Sequence, residues 1–189
     1  MRVLEISVLP EIKRIKLIVQ MPDPDRFLTS QVPHLPRLLF RLLPRLGSHT
    51  CHNDYGHSFR RECRETEIPH VFEHLIIELQ LLAQQNPEDR LSGETEWNWQ
   101  IDPRGFYHVS VDYENELLAI ASIRLAERII NSLDRKDVSI NMDEEIRRLR
   151  QVLELSRQLS PPVPAPAKPR RQRVRDWDSV PLVPADASG

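Results

Sequence analysis

One segment constrains the fold of this 189-residue chain more than any other. From Pro69 to Leu82 large apolar residues dominate, and the run opens on His70-Val-Phe-Glu-His74. At roughly 100° per residue in a helix, Phe72, Leu75, Ile76, Leu79 and Leu82 fall on one side. His70, Glu73 and His74 share the opposite side, which Ile77 and Leu81 continue one and two turns later. A helix apolar nearly all round is buried on both sides. The segment is therefore expected to run through the interior and carry three ionisable groups with it.

The rest of the chain supplies what should cover it. Residues 2–9 and 14–21 are rich in Val, Ile and Leu, and Pro10-Glu11 between them suggests two paired strands. Residues 35–46 repeat Leu at helical spacing and stop at Gly47. Arg37, Arg41 and Arg45 form a basic stripe there, which a solvated face explains as well as an anionic ligand does. Residues 47–67 read as a loop with one helical turn. Pro69 suits the first turn of the central helix, and Asn86-Pro87 should end it near Gln85. Glu96–Ile101 and Phe106–Tyr113 read as a hairpin around Asp102-Pro-Arg-Gly105. Asp112 is expected to cap a helix reaching about Leu133, and a more polar helix spans 142–159. The expected fold class is α+β: a small sheet of two hairpins packed with about three helices, an accessory helix within 136–160, and a tail. Seven of the 16 prolines fall in residues 161–189, so that tail is expected to be disordered.

Burying two imidazoles and a carboxylate on one face is costly unless they are paired or coordinated. A divalent cation would offset all three, and H-x-x-E-H is the inverted form of the zinc-peptidase motif. In that reading His70 and His74 ligate Zn²⁺ or another divalent metal, and Glu73 acts as the base on its water. The alternative is a hydrogen-bonded His-Glu cluster with no ion. A catalytic zinc site needs a third protein ligand. Glu114 and Glu116 open the next long helix, and Glu116 is the preferred ligand; its other explanation is a first-turn Glu favoured by the helix dipole. Glu78 lies too far along to share the metal with His70 and suits an outer role orienting His74. His49, Cys51, His52, His57 and Cys63 have ligand types but no recognised zinc spacing, and Cys51 is expected to pack as a small hydrophobe.

Composition narrows the function classes. The net charge of −2 argues against a dedicated nucleic-acid binder. Two cysteines give no disulfide framework and fit a reducing compartment. Charged residues interrupt the N-terminal apolar run, so neither a signal peptide nor a membrane span is expected, and a cytoplasmic location is the default.

The stretch Pro69-His-Val-Phe-Glu-His-Leu-Ile-Ile-Glu-Leu-Gln80, followed by Gly105-Phe-Tyr-His-Val-Ser-Val-Asp-Tyr-Glu-Asn-Glu116, resembles the N-terminal domain of cyanophycin synthetase. Val32-Pro33, Leu43-Pro44 and Cys51 fall in the same order, and the resemblance spans about residues 1–135. It implies a domain that holds a polymer of aspartate and arginine and, where the His-Glu-His set is kept, cleaves it slowly with a metal. Residue by residue, it implies His70 and His74 as ligands, Glu73 as base and Glu116 as the Glu opening the final helix. The family's basic loop after the motif helix reads Gly93-Glu-Thr-Glu96 here, which shifts the expected preference toward cationic side chains met by Glu94 and Glu96. No Gly-rich phosphate loop occurs, which excludes ATP-driven amide synthesis as an expectation.

The expected function is thus an inverted-zincin hydrolase of a peptide or cyanophycin-like polymer, with a homo-oligomer compatible and no nucleic-acid or membrane partner. The rival is a binding domain that recognises an Arg/Asp-rich polymer or a partner enzyme without chemistry.

Overall fold

The computed structural model describes residues 1–51, 58–84 and 91–159. The expected tail, the Asn86-Pro87 stop, His52 and His57 lie outside these residues. The fold is α+β, as the patterning predicts. Strands β1 (Arg2–Leu9), β2 (Arg14–Gln20), β3 (Gly93–Glu96) and β4 (Phe106–Asp112) form one antiparallel sheet in the order β1-β2-β4-β3. The two hairpins therefore join edge to edge through β2 and β4. Side chains alternate across the sheet. Ile15, Leu17, Val19, Tyr107, Val109 and Val111 point inward and are buried, while Lys16, His108, Glu94 and Glu96 lie exposed.

Among the described residues the helices are α1 (His34–Leu42), α2 (Phe59–Glu62), α3 (Ile68–Gln84), α4 (Glu116–Asp134) and α5 (Met142–Leu159). Helix α3 packs on β3 and β4 on one side and on α4 and α5 on the other, and α1 packs on α4. Every residue from Val71 to Gln80 is buried, which accounts for the all-round apolarity of that stretch. No helix among the described residues is long and apolar enough to cross a membrane.

Three element boundaries differ from expectation. Helix α1 ends at Leu42, because Pro44 pushes Leu43 out of helical conformation (φ −133°, ψ 78°), and Pro44–Ser48 continue as a tighter 3-10 turn. Strand β3 begins at Gly93 and stops at Glu96. The aromatic residues beyond it serve packing instead: Trp97 stacks on Trp99 at 4.5 Å, and Trp99 meets Phe27 and Tyr107 edge-on. Asp112 does not cap α4. Its carboxylate takes Arg14 Nε at 2.8 Å and Ser92 N at 3.1 Å. Asn115 is the cap, its Oδ1 accepting from Leu118 N at 3.0 Å while its Nδ2 donates to Ser156 on α5.

Candidate metal centre

Pro69 starts α3 without needing a donor, and the next turn aims His70 and His74 at the segment that precedes α2. There Cys51 Sγ lies 3.4 Å from His70 Nε2. One donor atom each from Cys51, His70 and His74 falls within 4.8 Å of the others, the single such group of metal-ligating side chains among the described residues. Phe59 closes the site, its ring stacked on His74 at a centroid distance of 3.8 Å.

The surroundings prepare both imidazoles. Burial drives the pKa of His74 down to about 2, with the neighbouring His70 and His49 rings adding to the effect, and burial lowers that of His70 too. Both rings are therefore neutral, the form that ligates metal. Hydrogen bonds fix which nitrogen is bare. His70 Nδ1 meets the Thr66 hydroxyl at 2.8 Å, so a proton held there leaves Nε2 facing Cys51. Glu78 Oε2 accepts from His49 Nε2 at 2.9 Å, and His49 Nδ1 sits 3.2 Å from His74 Nδ1. With His49 Nε2 protonated, its Nδ1 accepts from His74 Nδ1–H, which leaves His74 Nε2 unprotonated. The sequence role given to Glu78, orienting His74, thus runs through His49 and not by direct contact. Glu78 is 1% exposed, and its Oε1 has no partner among the described residues. A cation on the imidazole end of this relay would compensate that buried carboxylate, so a metal fits the residues present.

Glu73 faces elsewhere. Its Oε2 accepts from the Thr95 hydroxyl at 2.7 Å, on β3. Gly93 leaves the room: a Cβ there would lie 2.6 Å from Glu73 Oε1. Burial raises the Glu73 pKa to about 7 against the opposing Thr95 hydrogen bond, with the charge of Glu94 contributing. Glu116 is exposed on the first turn of α4 and does not join the Cys51, His70 and His74 group. Glu94 and Glu96 project from the opposite face of β3 to Thr95. His108 is exposed and bonds Asp102 at 2.9 Å.

Sequence reasoning set His49 and Cys51 aside for want of a zinc spacing, with Cys51 expected to pack as a small hydrophobe, and gave no site role to Thr66, Phe59, Gly93 and Thr95. A signal for the first two existed in the cluster of His and Cys between 49 and 63. Its spacing matches no zinc pattern because the complementary ligands sit on α3 and not within the cluster. Cys63, the other cysteine, is buried, and desolvation pushes its thiol up to about 12, which makes it inert.

A family model described as the cyanophycin synthase-like N-terminal domain matches residues 15–135, from β2 to the end of α4. Among curated proteins no relative matches.

Proposed function

The chain belongs to the family of cyanophycin synthase-like N-terminal domains, and from that premise we propose that it is a metal-dependent hydrolase of amide bonds in a peptide or cyanophycin-like polymer. The observation that carries the reading is the convergence of the Cys51, His70 and His74 donors within 4.8 Å on the flank of a buried helix. These three would hold Zn²⁺ or another divalent ion, matching the three protein ligands of catalytic zinc sites. Such an ion, when bound, polarises a carbonyl and acidifies water. Glu73, adjacent to His74, would take the proton of the attacking water and pass it to the leaving amine, which requires its carboxyl to exchange Thr95 for that water. Glu94 and Glu96 lie on the sheet face opposite Thr95, so the expected selection of cationic side chains by this pair is not part of the proposal.

A binding domain without chemistry is the second reading. It is favoured by the position of Glu73, whose carboxyl is bonded to Thr95 and wedged against Gly93 instead of turned to the imidazoles.

Elemental analysis and a cleavage assay separate the two. Wild type should carry about one zinc per chain, His74→Ala none, and Glu73→Gln should keep zinc while losing turnover. Zinc-free wild type would remove the centre itself. A zinc-loaded protein that cleaves no cationic, acidic or isoaspartyl peptide, yet binds one of them with or without Glu73, would establish the binding reading.

A further inference from the structure

Next to the metal centre, Phe59 turns toward the imidazoles while Arg60 and Cys63 line a separate cavity of about 480 Å³ between α1 and α2. Arg37 and Arg41 face it from α1, one turn apart, and Arg60 and Arg64 face it from α2 and the residues after it. No Asp or Glu is among its lining residues. All four arginines are solvent-exposed, and among the described residues none of them is in an ion pair, a state they share with Arg45 of the same stripe. Two features seat Arg60 in particular. Its guanidinium lies over the Phe40 ring at 4.5 Å, and it occupies space left by Gly47, where a Cβ would stand 2.7 Å from Nη2.

Four like charges around one concavity repel each other, and low-dielectric walls focus their field on the space between them. Guanidinium groups match phosphate and carboxylate oxygens in paired hydrogen bonds. The cavity volume lies within the range of small-molecule sites. We propose that this pocket binds a small ligand carrying at least two oxyanionic groups, phosphate or carboxylate, through Arg37, Arg41, Arg60 and Arg64. The site is independent of the metal centre and of the hydrolase reading. It also gives Arg37 and Arg41 of the basic stripe a role that Arg45 does not share, since Arg45 is not among the lining residues.

Isothermal titration of the full chain with pyrophosphate and with citrate, at constant ionic strength, tests the site and separates the two oxyanion sources. At least one should bind 1:1 with a Kd below about 1 mM. Arg37→Gln and Arg60→Gln should each weaken it about tenfold, the scale of one lost charge-assisted hydrogen bond. Gly47→Ala should weaken it while leaving all four charges in place, because the new methyl displaces the Arg60 guanidinium. Arg45→Gln should leave it unchanged, and so should prior stripping of divalent metal from the wild type with a chelator, which excludes metal sequestration by the titrant. Absence of binding by both anions at about 10 mM, equal loss in Arg45→Gln, or binding of poly-aspartate alone would each overturn the pocket.

Discussion

The two flanks of α3 carry adjacent members of one sequence motif and treat them in opposite ways. On the flank facing Cys51 and Phe59, burial keeps His70 and His74 neutral, and Thr66 and the Glu78–His49 relay set which ring nitrogen of each holds the remaining proton. On the flank facing β3, burial keeps a proton on Glu73 to higher pH, and Thr95 and Gly93 hold the carboxyl against the sheet. Desolvation acts in both places and always favours the neutral form. For an imidazole the neutral form is the ligand; for a carboxyl it is the form that cannot serve as base. Metal affinity and basicity are therefore governed by different neighbours, and each can be broken without the other.

The largest effect is expected on the imidazole flank. Cys51→Ala should weaken zinc more than about 100-fold, beyond the loss of an outer partner, while Glu116→Ala changes it little; competitive titration with a chromophoric chelator would show the difference. Equal losses would return Glu116 to the ligand set and erase the contrast between flanks.

On the sheet flank, Gly93→Ala should cost about 1–3 kcal/mol in urea unfolding, because the added methyl meets the Glu73 side chain. Glu73→Ala in the same chain should restore most of that loss, a coupling that zinc affinity does not share.

The pH dependence carries a sign that distinguishes the flanks further. Glu73 has its native pKa raised from 4.5 to about 7, so the folded state binds the extra proton between those values and the metal-free protein loses stability as pH rises through them. Glu73→Gln removes that slope. It should stabilise the metal-free protein by on the order of 1–2 kcal/mol at pH 8, and the gain should shrink toward pH 4.5. A gain that is constant with pH would mean that Glu73 is ionised throughout.

The smallest effect concerns the strand that holds Thr95 in place. Asp112 is partly buried, which alone would raise its pKa, but hydrogen bonds from Arg14 and Ser92 bring it below its ordinary 3.8. Its stabilisation is present above that value and lost as pH falls through the depressed native one. Asp112→Asn should cost under about 1 kcal/mol at pH 7, and the difference should vanish in acid unfolding curves.

Much of this molecule follows from local pattern. The buried course of α3 is written in its all-round apolarity, β1 and β2 in their β-branched runs, and the α+β class in the order of elements. The boundaries that moved did so for reasons outside the local pattern. Asp112 is spent on Arg14 and Ser92, so Asn115 caps α4, and of the two tryptophans expected in a strand Trp99 packs on Phe27 and Tyr107 while Trp97 stacks on Trp99.

The site divides along the same line. The sequence by itself determined that His70, Glu73 and His74 lie near one another, because three residues within five positions of a helix have no freedom to separate. Which way each faces depends on angles of tens of degrees around that helix and on what packs there. Only the tertiary structure set the imidazoles toward Cys51, 19 residues upstream of His70, and the carboxyl toward Thr95, 22 residues downstream of Glu73. Helical periodicity specifies proximity along the axis, whereas the neighbours that tune protonation come from chain segments whose meeting no local pattern encodes.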